Sequence, residues 1–204
     1  MRPAVFLFDL DGTLLDTAGD LADAVNAARA GFDLPPLADA QVAANVGHGL
    51  GHLMRAALPA HLHDRVDEAR ARFMAHYDAH LLERARPCPG AEAVLAALPV
   101  ARRGLVTNAP SVFLSRLLAG LGWAFGAVID GDVAAWRKPA PGGLLAALSR
   151  LGARPDEALF IGDTDVDRAA AAAAGVPFAT VAWGAIKDAS VPRLDRLDGL
   201  LTWA

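Results

Sequence analysis

The chain is 204 residues long, and a hydrophobic content of 54% against 21% charged excludes disorder as its main theme and leaves room for one ample core plus a small second unit. Its net charge of −4 is spread without a basic run, which excludes the electrostatic footprint of a nucleic-acid binder or of a protein drawn to anionic membranes. A single cysteine, Cys88, excludes an internal disulfide.

The charged residues are skewed, with seventeen Arg to two Lys and nineteen Asp to four Glu. An Asp is therefore informative only through its spacing, whereas Lys138 and Lys187 ask for a reason. The first apolar run meets Asp9 too early for a signal peptide, so a reducing cytoplasm is the expected compartment. One window without charge, Ala169 to Ile186, is mostly Ala and Gly and contains Pro177; it reads as a helix end plus a strand, not a membrane span.

In chain order, residues 4 to 8 are too short for a helix and apolar enough for a buried strand, and the run ends in Asp9 and Asp11, followed by Gly12. Alternation along an extended chain points residues 9 and 11 the same way, and Gly12 allows a tight departure. Two like charges so close call for a cation, and a hard one such as Mg²⁺ suits oxygen ligands and shares its shell with a phosphate; a strand end with an Asx turn is the bland alternative. Leu21, Ala24, Val25 and Ala28 predict a helix that Leu34-Pro-Pro36 ends, with Thr17 or Asp20 as its cap. The glycine-dense turn Asn45-Val-Gly-His-Gly-Leu-Gly51 opens a helix to about Leu58, and Val66, Ala69, Phe73, Tyr77 and Leu81 form one stripe of a helix from about His61 to Arg84. Residues 16–86 thus read as a small helical bundle, with Pro87-Cys-Pro-Gly90 as the return linker.

Helix and strand then alternate: strands at Arg103 to Thr107, Ala127 to Ile129, Ala158 to Ile161 and Pro177 to Val181, with helices near Gly90 to Leu98, Pro110 to Leu121, Pro141 to Leu151 and Val166 to Ala174. A helical tail from Arg193 to Trp203 completes the chain. This alternation implies an α/β fold, a parallel sheet with helices on both faces.

Further candidate residues sit at the strand ends. Thr107-Asn108 precedes a helix at Pro110, which makes either an anion site or an ordinary cap. Lys138 stands before a Pro-initiated helix, where a compact ammonium fits beside a carboxylate and a phosphate oxygen. Leu159-Phe-Ile-Gly-Asp163-Thr-Asp-Val-Asp167 repeats the first pattern: Asp163 is placed as a metal ligand, Asp167 one turn later to hold a ligand water or the lysine, and Asp165 to cap the helix. Helix capping throughout is the alternative.

Together these four pieces resemble the haloacid dehalogenase superfamily of phosphatases over nearly the whole chain. Asp9-Leu-Asp-Gly-Thr-Leu-Leu-Asp-Thr17, Thr107-Asn108, Lys138-Pro139 and Gly162-Asp-Thr-Asp-Val-Asp167 stand in the order and spacing of its four motifs. The resemblance implies a doubly wound, Rossmann-like sheet of strand order 5-4-1-2-3, with residues 1–15 and 87–204 as the catalytic core and 16–86 as an inserted helical cap. It further implies Asp9 as nucleophile, Asp11 as general acid and base, Mg²⁺ held by Asp9, the Asp11 carbonyl and Asp163, and phosphoryl oxygens held by Thr107, Asn108 and Lys138, with Asp167 behind them. Dehalogenases of the same fold lack an acid at the position of Asp11.

Within the family, the Val46-Gly-His-Gly49 turn and the lengths of the pieces most resemble phosphoglycolate phosphatases. Those enzymes commonly carry Lys after the Thr-Asn pair, where this chain has Ala109. The expected substrate is a small phosphorylated metabolite, 2-phosphoglycolate first and a sugar phosphate as rival, with Gly47 and His48 as cap residues toward it. A receiver-like phosphorylation switch and a non-catalytic interaction protein are the readings from other classes; the early position of Asp9 and the full motif set weigh against them. No nucleic acid or membrane is expected as partner, and the sequence specifies no oligomeric state. His76 and His80, spaced i, i+4, form at most a minor metal pair, His52 belongs to the surface, and Trp136, Trp183 and Trp203 are expected in or beside the core.

Overall fold

The computed structural model describes residues 2–203. It contains β1 (Val5–Phe8), then helices α1 (Ala18–Ala30), α2 (Asp39–Ala43), α3 (Leu50–Ala57) and α4 (Val66–Ala79). There follow α5 (Ala91–Ala97), β2 (Arg103–Val106), α6 (Ser111–Leu121), β3 (Ala127–Ile129) and α7 (Gly142–Leu151). The last elements are β4 (Ala158–Gly162), α8 (Asp165–Ala174), β5 (Phe178–Val181) and β6 (Arg193–Leu194). Two compact units result: the chain up to Leu15 and from Pro87 onward forms one, and Asp16–Arg86 forms the other.

The first unit is built on a parallel sheet of order β3-β2-β1-β4-β5-β6. Phe8 of β1 lies opposite Leu105 on one side and Ile161 on the other, so the first strand is central and the chain winds away from it in both directions. In such sheets the crevice for a ligand opens where the winding reverses, at the strand C-termini. The expected order 5-4-1-2-3 is present, and the structure adds β6 beside β5.

Alternation divides the buried strand residues between two faces. Val5, Leu7, Val106, Ile129 and Phe160 join Leu144, Ala147 and Leu148 of α7 and Ala170, Ala171 and Ala174 of α8 in one cluster. Phe6, Phe8, Leu105 and Ile161 are buried on the opposite face. Each fully buried Phe or Leu contributes about 1.5–3 kcal/mol, and the alanines of α8 let that helix sit close to the sheet.

Two expectations are corrected. The tail is not helical from Arg193: Arg193 and Leu194 pair in parallel with β5, Thr180 donating to the Pro192 carbonyl at 2.8 Å, and only Leu197–Thr202 coils, as a 3-10 turn. The segment from His61 to Arg84 is not one helix either. Ala60–Arg65 is a 3-10 turn, and α4 runs from Val66 to Ala79, where the His80 N–H bonds to His76 and Tyr77 close its last turn.

In the second unit α1 packs on α4 and α2, and α3 on α4. The stripe Leu21, Ala24, Val25 and Ala28 is buried, as are Ala69, Phe73 and Tyr77, with the Phe73 and Tyr77 rings stacked at 5.5 Å. Thr17 precedes α1 without a side-chain capping bond, while Asp20 accepts the Arg84 N–H at 2.6 Å. The Arg84 guanidinium reaches Asp23 at 2.8 Å and Asp39 at 2.5 Å. Gly47 and Gly49, both at positive φ, frame His48, whose ring stacks on His52 at 4.7 Å. No helix among the described residues is long and apolar enough to cross a membrane.

Candidate active site

The C-terminal ends of β1, β2 and β4, with the loop before α7, bring together most of the residues singled out in the sequence. Asp9 continues β1, its N–H donating to Ile161 at 2.9 Å, and its buried carboxylate accepts from Lys138 Nζ at 2.5 Å. The same ammonium donates to Asp167 Oδ1 at 2.7 Å and lies 5.5 Å from the centre of the Phe160 ring. Residues 129 positions apart in the chain thus share one ion pair.

Asp167 is fully engaged, because its Oδ2 accepts from the Thr164 hydroxyl at 2.6 Å, the Thr164 N–H at 3.1 Å and the Asp163 N–H at 3.3 Å. Asp165, expected as a helix cap, instead faces Arg168 at 2.8 Å on the surface. Thr164 and Asp167 close the N-terminus of α8 in its place, since their spacing of three lets Oδ2 reach back to the orphan N–H groups.

Asp163 accepts from the Thr13 hydroxyl at 3.1 Å. Its other oxygen packs against the bare Cα of Gly12, where a Cβ would come within 2.5 Å of Oδ2, and Gly12 holds φ +83. A larger residue there is excluded twice, by space and by backbone. Asp11 is half-buried and close enough for its charge to act on both Asp9 and Asp163.

One cation stands among several acids. Burial raises the Asp9 carboxyl well above the usual range; Lys138 pulls it down, but Asp167, Asp163 and Asp11 push it up again. Burial, with the repulsion of Asp167 behind it, pushes Asp163 up to about 7. Burial on its own lowers the Lys138 ammonium, yet Asp167 and Asp9 outweigh it and hold it above its ordinary value. Carboxylate oxygens of Asp9, Asp163 and Asp167 lie within 4.8 Å of one another. A hard divalent cation suits such a set of oxygens and relieves the repulsion that one ammonium leaves; because both Asp167 oxygens are already held, Asp9 and Asp163 are the carboxylates with capacity for it.

Thr107 directly follows β2, and its hydroxyl oxygen accepts the Ala109 N–H at 3.0 Å, which leaves the hydroxyl proton for an anion. The Asn108 side chain does something the sequence did not suggest. It donates to the Lys138 carbonyl at 2.9 Å and accepts the Lys138 N–H at 2.8 Å, so it fixes the backbone of the residue whose ammonium meets Asp9. Gly47 and His48 belong to the second unit, in the turn that opens α3.

A family model for haloacid dehalogenase-like hydrolases matches residues 3–175. The chain belongs to the haloacid dehalogenase-like hydrolase family. It is 42% identical over 194 residues to the phosphoglycolate phosphatase of Rhodospirillum rubrum, covering 89% of this chain and 80% of that protein, and 36% identical to that of Xylella fastidiosa, covering 89% and 81%. The crystal structure of a predicted phosphoglycolate phosphatase from Haemophilus somnus superposes with a TM-score of 0.89 at 25% identity, covering 99% of this chain and 98% of that one.

Three residues of this haloacid dehalogenase-like site escaped the sequence reading. Thr13 and Thr164 carry hydroxyls that serve Asp163 and Asp167, and a small hydroxylated residue beside each acid pair was the signal available. Trp183 is 36% exposed, not a core aromatic, and its indole N–H donates to the Gly12 carbonyl at 2.8 Å. No local pattern marks it, because its partner lies 171 residues away.

Proposed function

We propose that the chain is a Mg²⁺-dependent phosphatase that hydrolyses a small phosphate monoester through an aspartyl-phosphate intermediate, with 2-phosphoglycolate as its preferred substrate. The observation that carries the reading is the buried contact of Lys138 with Asp9 inside an acidic group, in a chain 42% identical to a phosphoglycolate phosphatase. Asp9 and Asp163, with the main-chain carbonyl of Asp11, are the residues to hold Mg²⁺. When bound, the cation offsets the charge of the transferred phosphoryl group and of the acids around it.

Asp9 attacks phosphorus, the bond to the leaving oxygen breaks, and Asp11 gives that oxygen its proton. Asp11, now a base, takes a proton from the water that attacks the aspartyl phosphate, and orthophosphate leaves with Asp9 restored. Thr107 donates its hydroxyl proton and Lys138 its ammonium to the phosphoryl oxygens, while Asn108 and Asp167 keep Lys138 in place. Residues 16–86 act as the cap that selects the rest of the substrate, with His48 the leading residue toward it.

The test is a panel of phosphorylated metabolites assayed with Mg²⁺ and again with excess chelator. The highest kcat/KM is expected on 2-phosphoglycolate, and chelation abolishes turnover. A preference for hexose phosphates, which Ala109 in place of a lysine would favour, overturns the substrate and leaves the phosphatase; turnover untouched by chelator overturns the metal.

A further inference from the structure

We infer that Trp183 is a positioning residue for the acidic group: it locks the turn after Asp11 to the turn that carries Asp163, and so sets the spacing of the Mg²⁺ ligands. Its Nε1–H donates to the Gly12 carbonyl at 2.8 Å. The loop that bears it also grips the other turn, since the Ala185 N–H donates to the Asp163 carbonyl at 2.8 Å. Gly184, between the two, lies so close that a Cβ there would meet the same carbonyl oxygen at 2.7 Å.

The loop itself is stiffened twice. The Gly184 N–H donates to Val181 at 3.1 Å, and Lys187 Nζ to the Gly184 carbonyl at 2.7 Å, which gives the second of the chain's two lysines a reason. One short loop therefore bonds to the main chain of both acid-bearing turns, which come from opposite ends of the sequence. The indole is 36% exposed, so burial does not account for an aromatic residue here, whereas the directed N–H does.

Mg²⁺ tolerates little error in ligand placement, and groups that hold its ligands commonly change metal affinity 10–100-fold, about one to two orders of magnitude, when removed. The inference rests on the Mg²⁺ reading above, and the experiment separates the two. Mg²⁺ binding is measured calorimetrically, without substrate, for the wild type and for Trp183→Phe, which keeps the ring and loses the donor. Affinity is expected to fall about 10-fold, with the melting temperature in chelator little changed, and Trp183→His, whose ring N–H can donate, recovers part of the loss. In a protein with Trp123, Trp136 and Trp203 replaced by Phe, Mg²⁺ is expected to change the emission of the remaining indole. Equal affinity of wild type and Trp183→Phe, or an emission indifferent to Mg²⁺, overturns the role of Trp183 alone. A wild type that takes up no Mg²⁺ overturns the metal reading and this one with it.

Discussion

Lys138 and Asp167 face each other at 2.7 Å with side chains almost sealed from solvent, and the same ammonium reaches Asp9 at 2.5 Å. A buried pair of this kind adds little net stability; what it fixes is where the charge stands. Asp167→Asn keeps the shape and an oxygen for Thr164 but gives up the second charge that holds the Lys138 ammonium in place beside Asp9. Turnover is expected to fall about 10–100-fold with KM changed far less. Steady-state kinetics beside a thermal melt check this, and an unchanged kcat in a folded variant refutes the bracing role.

Asp9→Asn is expected to abolish turnover and any labelled protein, since the attacking oxygen is lost. For Asp11→Asn, an aryl substrate whose leaving group needs little protonation still phosphorylates Asp9, but the attacking water has lost its base. Rapid quench should show labelled protein accumulating in Asp11→Asn and none in the double variant with Asp9→Asn. Equal turnover of an alkyl phosphate by Asp11→Asn and wild type would remove Asp11 from the mechanism.

Without metal, Asp9 and Asp163 keep protons at pH values where an unfolded chain has released them. The native state then binds more protons than the unfolded one, so this contribution to stability is complete below the ordinary carboxylate range near ~4 and is lost as pH rises through about 7 for Asp163. Thermal melts in chelator should therefore decline toward neutral pH, millimolar Mg²⁺ should restore them above it, and Asp163→Asn should flatten the slope. A metal-free melting temperature that climbs across this window contradicts the electrostatic account.

If His48 selects the substrate as proposed, His48→Ala is expected to reduce kcat/KM on the preferred metabolite about 10-fold or more while a generic aryl phosphate loses little, because a selective group acts on the organic part and not on the phosphoryl group. Gly47 and Gly49, both at positive φ, leave no side chain on either neighbour of the imidazole. Parallel kinetics on the two substrates decide it, and equal losses refute a selective role.

The sequence by itself determined the first five strands of the sheet and the helices between them, in order. Apolar runs of strand length at Val5, Arg103, Ala127, Ala158 and Phe178, each followed by a helix start or turn residue, are short-range signals, and their alternation admits few topologies beyond a parallel doubly wound sheet. The closely spaced acids, two positions apart at 9 and 11 and one helical turn apart at 163 and 167, were legible for the same reason. Tertiary structure decided what these residues do to one another. Asp9 meets Lys138 across 129 positions, Thr13 meets Asp163 across 150 and Trp183 meets Gly12 across 171, distances in sequence that only the strand order closes. Asn108 braces Lys138, and Thr164 with Asp167 takes the cap from Asp165, because hydrogen-bond geometry, not residue type, assigns partners. Arg193–Leu194 became a strand for a similar reason: an edge of β5 was open to pair with, and local propensity does not register a partner supplied by the fold.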